Sequence, residues 1–193
     1  MISKKYKLVW ISVNNLLKNE IAKKTANGLL IEKNMKEGEL VPDEIINKII
    51  EDRLLSEDCR VNGWIMENFP KTDLQIDMLK NNNFDPTLFL EMQIEDDVIY
   101  NRLNGRRLDP QTGKIYDIKK SVPSDQKIIE RLEILEEDKH DILKKRIKIC
   151  RNLMIKLRDS YSDRIIKINA SKNPEIVAKE ICEAIENPLL KPI

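Results

Sequence analysis

Four short β-rich runs, at residues 8–11, 64–66, 88–92 and 164–168, alternate along this chain with segments of helical periodicity. Ile45, Ile46, Ile49, Ile50 and Leu54 form one apolar face, with Asp43 placed to cap the helix behind Pro42. Leu143, Ile147, Cys150, Met154, Leu157 and Tyr161 recur at steps of four and three. That spacing predicts an amphipathic helix about five turns long. A last helix is predicted to begin after Pro174, to carry Ile176 and Ala184, and to stop at Asn187 and Pro188. Alternation of this kind predicts an α/β fold, a parallel sheet with helices on both faces. Such sheets take ligands at the C-terminal ends of their strands. Residues 105–138 break the pattern: Asp109-Pro110, Thr112-Gly113 and Val122-Pro123-Ser124 supply turn chemistry with little periodicity, as in an inserted lid.

Size and charge narrow the class. A chain of 193 residues is expected to form one domain, 1–193, with enough interior to need no disulfide or metal. Lys and Arg number 34 against 33 Asp and Glu, a net charge of +1, which argues against a nucleic-acid binder. No apolar run approaches the ~20 residues of a membrane span, and no secretory signal follows the N-terminal lysines. Cys59, Cys150 and Cys182 are scattered without a C-x-x-C, so neither zinc nor a disulfide framework is suggested and a reducing, cytoplasmic setting is expected.

Basic residues on three predicted elements could face one cleft. Arg102, Arg106 and Arg107 cluster where a helix from about Asp96 should end, at Gly105, and Arg146 lies near the start of the long helix. Glu67 closes a predicted strand, and Lys71, Thr72 and Gln75 follow it. Phosphoryl transfer calls for this kind of set, because it depends on charge neutralisation and in-line positioning more than on covalent chemistry. Arg suits it through its two-pronged hydrogen bonding to phosphate. Each residue also has a structural role open to it. Arg102 and Arg106 complement a helix macrodipole. Thr72 and Gln75 make a capping box. Glu67 also reads as a plain strand-end carboxylate, and Arg146 as part of the solvated face with Lys144 and Lys145.

Taken together, three segments resemble the adenylate kinase family. Gly38-Glu39-Leu40-Val41-Pro42-Asp43-Glu44 is similar to its Gly-x-Leu-Val-Pro-Asp-Glu segment. Asn68-Phe69-Pro70-Lys71-Thr72, with Gln75, is similar to its Gly-Phe-Pro-Arg-Thr-x-x-Gln motif. Arg102-Leu103, Gly105-Arg106-Arg107-Leu108-Asp109-Pro110 and Thr112-Gly113-Lys114-Ile115-Tyr116 resemble the start of its lid. The resemblance implies a nucleoside monophosphate kinase-like sheet with monophosphate-binding helices at about 13–42 and a lid at about 105–138. It implies ATP plus AMP giving two ADP, with magnesium carried on ATP. By position, Leu40 and Val41 would line the AMP base pocket and Gln75 would bond the base. Lys18 and Lys71 would meet the AMP phosphate. Arg102, Arg106 and Arg146 would hold the ATP phosphates and the transferring group, Lys172 would touch the ATP base, and Glu67 would order magnesium-bound water. Asp109 and Thr112 imply a lid closed by hydrogen bonds rather than zinc.

The pattern departs from the family at the phosphate end. The family opens with a strand and a Gly-x-x-x-x-Gly-Lys loop; the five glycines here, at 28, 38, 63, 105 and 113, make no such run. The expected sheet therefore lacks its first, central strand, which an upstream segment or a partner chain would complete. Lys replaces Arg at 18 and 71, Glu replaces Asp at 67, and Val13-Asn14-Asn15 replaces Thr-Gly-Asp. Leu135 stands where the lid returns a second Arg. The alternative reading is a catalytically impaired nucleotide-binding or interaction module on the same fold.

Overall fold

The computed structural model describes residues 1–187; the expected stop of the last helix at Pro188 lies outside them. The first half runs α1 (Ile2–Tyr6), β1 (Val9–Ser12), α2 (Val13–Ala22), α3 (Ala26–Glu37), α4 (Asp43–Leu54), α5 (Glu57–Asn62) and β2 (Trp64–Glu67). The second half runs α6 (Asp73–Asn81), β3 (Phe89–Gln93), α7 (Asp96–Leu103), β4 (Arg106–Leu108), β5 (Ile115–Asp117), α8 (Gln126–Glu130), α9 (His140–Ser160), β6 (Ile165–Asn169) and α10 (Pro174–Glu186). A 3₁₀ turn, Glu136–Asp138, precedes α9.

The strands form three separate pairs. β1 lies parallel to β2, with Val9 opposite Trp64 and Ser12 opposite Glu67. β3 lies parallel to β6, with Phe89 opposite Ile165 and Gln93 opposite Asn169. β4 and β5 make an antiparallel hairpin. Among the described residues no ladder joins β2 to β3. The two parallel pairs are nevertheless held in one layer by shared helices. Leu79 of α6 packs in the main core with Trp64 and Met66 of β2, while Ile76 of the same helix packs with Phe89 of β3, Leu157 and Tyr161. α10 covers Leu90, Ile166 and Ile168 of the second pair and takes a hydrogen bond from Tyr6 of α1 at Glu186, 2.5 Å. An apolar cavity of about 230 Å³ remains between α1, β3 and α10, lined by Ile2, Met92, Val177, Ala178 and Ile181. Met92 is 45% exposed there, although strands of a two-faced parallel sheet are normally covered on both sides.

The first pair, α2, α3 and α4 share the largest core, around Ile11, Ile31, Ile50 and Leu54. Thr25 caps α3 by accepting from Gly28 N at 3.1 Å, and Gly38 ends that helix at φ +66°, where a side chain would be strained. Two local expectations are corrected. Pro42 occupies the cap position of α4 and Asp43 is its first helical residue; the carboxylate of Asp43 bonds α6 instead. Cys150 lies on the expected apolar stripe of α9 yet is exposed, because the packed face of that helix narrows beyond Ile147 until Leu157.

Candidate functional site

Arg106 begins the β4–β5 hairpin and reaches back to the 3₁₀ turn. Its Nη1 lies 3.2 Å from Asp138 Oδ1 and its Nη2 3.5 Å from Glu137 Oε1. Arg146, from the second turn of α9, donates Nη1 to the Glu137 carbonyl at 2.9 Å. Two of the three arginines are thus drawn to one pair of residues. A Cβ on Gly38 would lie 3.3 Å from Arg146 Cγ, so the glycine that ends α3 also lets α9 close on it. Lys145 bonds the Glu37 carbonyl at 3.3 Å and pairs with Glu39 beside it.

Lys71 lies within electrostatic reach of Arg146. Burial pushes its ammonium below the ordinary lysine range; nearby Cys150 opposes that shift and Arg146 adds to it. Among the described residues nothing accepts a hydrogen bond from this ammonium; the backbone N–H of Lys71 donates to Gln75 Oε1 at 2.7 Å. The chain enters this position through Asn68 at φ +65°. The resembling motif has Gly there, and Asn is one of the few other residues that tolerates the left-handed region. Gln75 is 1% exposed. Its Nε2 donates to Asp43 Oδ1 at 2.7 Å, and Asp43 Oδ1 also accepts from Thr72 Oγ1 at 2.8 Å. Half of the expected capping box forms, with Thr72 Oγ1 accepting from Gln75 N at 3.3 Å, but the Gln75 amide turns to Lys71 and Asp43. One of its N–H groups and one lone pair stay uncommitted.

Arg102 stands apart from Arg106 and Arg146. Its Nη2 donates to the carbonyls of Ser171, 3.1 Å, and Lys172, 3.4 Å, so these two expected residues meet beside the apolar cavity. The Lys172 ammonium is held by Glu180 at 2.5 Å. Glu67 is exposed at the end of β2. Lys18 is exposed on α2 and makes no ion pair among the described residues. The Leu40 carbonyl accepts from Asn34 Nδ2 at 2.7 Å, and Val41 is packed in the main core.

The hairpin has its own polar centre. Asp109 is fully buried and takes Arg131 in a two-pronged pair, Nε at 2.6 Å and Nη2 at 2.7 Å. Thr112 Oγ1 adds a bond at 2.8 Å and Gln111 N one at 3.0 Å. Arg131 holds the carboxyl well below the usual carboxylate range, against the opposing effect of burial. Arg131, Glu137 and Asp138 were missed by the sequence reading. The acidic run 136–138 within an arginine-bearing segment was the available signal, since unlike charges in one insertion pair when it folds.

A parallel α/β layer with basic side chains beyond its strand ends and an inserted hairpin defines a nucleoside monophosphate kinase-like protein. A family model described as adenylate kinase matches residues 1–166. Among relatives, the probable adenylate kinase 2, chloroplastic, of Oryza sativa subsp. japonica is 34% identical over 191 residues, covering 99% of this chain and 66% of that protein. The chloroplastic adenylate kinase of Zea mays is 33% identical over 191 residues, 99% of this chain and 86% of its own length. The adenylate kinase of Caldanaerobacter subterraneus subsp. tengcongensis is 29% identical over 197 residues, 98% and 88%. The chain belongs to the adenylate kinase family.

Proposed function

We propose that this chain acts as an adenylate kinase-type phosphotransferase, moving the terminal phosphoryl group of ATP to AMP to give two ADP. The observation that carries the reading is the convergence of Arg106 and Arg146 on Glu137 and Asp138, with Lys71 within electrostatic reach of Arg146 and without an acceptor among the described residues. Cations held in a partly dehydrated site attract a polyanion, and a transferring phosphoryl group needs its charge met on several sides. Arg106 and Arg146 take the transferring group, and Lys71 with Lys18 takes the AMP phosphate. Gln75 offers its free amide edge to the AMP base, beside Leu40 and Val41. Arg102 and Lys172 form the ATP end.

Magnesium arrives with ATP. Among the described residues no group of three acidic, His or Cys side chains could hold the ion alone, and Glu67 serves as a carboxylate for its water shell. The lid is the hairpin region, about 105–138, and the monophosphate-binding helices are α2 and α3 with the turn to about 42. A further parallel strand, from a preceding segment or a partner chain, fits between β2 and β3. Their unjoined edges among the described residues support it. Among the described residues no helix is long and apolar enough to cross a membrane. Three unpaired cysteines support a reducing compartment such as the cytoplasm.

The test is ³¹P NMR of the purified chain with magnesium, ATP and AMP, preceded by separate titrations with each nucleotide. Growth of ADP resonances that requires both nucleotides is the expected result. Binding of either nucleotide without ADP formation would favour the impaired module, and absence of binding by both would overturn the reading.

A further inference from the structure

A glutamine amide can meet a ligand in two opposite senses. It carries donors on one side and an acceptor on the other, and turning the terminal torsion exchanges them. At Gln75 two neighbours decide the sense. Nε2 donates to Asp43 Oδ1 at 2.7 Å, and Oε1 accepts from the Lys71 backbone N–H at 2.7 Å. Turned over, the amide would set its oxygen against a carboxylate oxygen and its N–H groups against an N–H. Burial of the side chain leaves little water to relieve either clash. Of the two contacts, only the one to Asp43 is charge-assisted. Asp43 is itself fixed. It is the first residue of α4, where a helix N-terminus favours negative charge. Thr72 Oγ1 accepts from the Gln75 backbone N–H at 3.3 Å and spends its one proton on Asp43 Oδ1, 2.8 Å away. One turn along α4, Asn47 donates Nδ2 to the Leu74 carbonyl at 3.3 Å, which ties the backbone before Gln75 to the same helix.

We propose that Asp43 is a specificity-determining positioning residue: it holds the Gln75 amide in one sense, so that the edge left free takes a 6-aminopurine and rejects a 6-oxopurine. The inference rests on the phosphotransferase reading, in which Gln75 faces the base of the monophosphate. Adenine sets an amino N–H beside an acceptor ring nitrogen, and one free N–H with one free lone pair matches that pair. A 6-oxopurine reverses it on the same edge, with a carbonyl oxygen beside a ring N–H. Seated in the same pose, it would bring oxygen to oxygen and N–H to N–H. A freely turning amide would relieve this by exchanging its ends, and the Asp43 carboxylate, which can only accept, forbids the exchange. Asp43 thus acts through Gln75 and needs no contact with the base.

The test is isothermal titration calorimetry of AMP and of inosine 5′-monophosphate, a 6-oxopurine, against the full chain, Asp43→Asn and Asp43→Ala. The unmodified chain is expected to bind AMP at least about tenfold more tightly than the inosine nucleotide, the scale of one two-point base contact. Asp43→Asn keeps the shape but can present either N–H or oxygen to Gln75, and Asp43→Ala presents neither. In both, the preference is expected to fall to within about threefold, chiefly because the inosine nucleotide binds better. A purely structural role would weaken both nucleotides together and leave their ratio unchanged. Circular dichroism establishes that each variant is folded; should Asp43→Ala not fold, the near-isosteric Asp43→Asn decides. An unchanged ratio in the folded variants, or equal binding of the two nucleotides by the unmodified chain, overturns the proposal while leaving the phosphotransferase reading in place. Binding of neither nucleotide by the unmodified chain overturns that reading, and the proposal with it.

Discussion

Replacing Gln75 by Met removes two hydrogen bonds while keeping side-chain length. Asp43 Oδ1 loses an amide donor at 2.7 Å and retains only Thr72 Oγ1 at 2.8 Å. The Lys71 N–H loses its 2.7 Å acceptor. A bond to a charged group contributes ~1.5–3 kcal/mol and an unsatisfied backbone donor costs ~1–3 kcal/mol. Part of this is offset because Met is better suited than Gln to a site 1% exposed. A net loss of about 3 kcal/mol is expected, which for a domain of this size lowers the thermal midpoint by roughly 6–12 °C. Circular dichroism melts at neutral pH, with urea unfolding alongside, measure it. Gln75→Glu should be worse still, because it sets a second carboxylate against Asp43. A midpoint shift under about 2 °C for Gln75→Met would mean that the Asp43–Gln75–Lys71 network contributes little to stability. If AMP binding were lost all the same, the amide would be serving the base alone.

Two further perturbations address other parts of the molecule. Gly28→Ala should destabilise by about 1–3 kcal/mol, because the new Cβ would lie 2.5 Å from the Glu20 backbone oxygen where α2 and α3 touch. A stabilised variant would show that the two helices separate freely. For Asp109, the folded carboxyl titrates below its unfolded value, so its contribution is present in full above about pH 4 and is lost as the pH falls through the depressed value. Amides of Gln111 and Gly113 should therefore lose hydrogen-exchange protection between about pH 4 and pH 2 in the unmodified chain. In Asp109→Asn protection should already be low and flat across that window; equal pH dependence in both proteins would remove Asp109 from the argument.

The ladder of short strands and amphipathic helices could be read in advance because periodicity is a local property. β1, β2, β3 and β6 each begin or end within about a residue of the runs marked from composition. The long helix α9 follows from its apolar spacing, although that spacing misplaced Cys150. A stripe records which side chains could be covered, whereas actual cover depends on the neighbours the helix meets. Asp43 illustrates the same limit. Its position before an apolar face suggested a cap, but its carboxylate found stronger donors on Thr72 and Gln75, 29 and 32 residues along the chain.

Within the candidate site, residue types were legible and partners were not. A sequence with Arg102, Arg106 and Arg146 on three elements allows an anion site, because guanidinium groups brought together from separate elements suit a phosphate, although each also had a structural role open to it. It cannot say that Arg102 turns to the carbonyls of Ser171 and Lys172 while the other two converge on Glu137 and Asp138. Arg131 lay unremarked in a stretch without periodicity, yet it closes the buried centre of the hairpin. Patterning along the chain determined the class of fold and which residue types the site could draw on, both of which depend on what a short window contains. Only tertiary structure decided which charges are spent on one another. Electrostatic pairing acts through space over a few ångströms, and those distances exist only once α9, the hairpin and the 3₁₀ turn have packed.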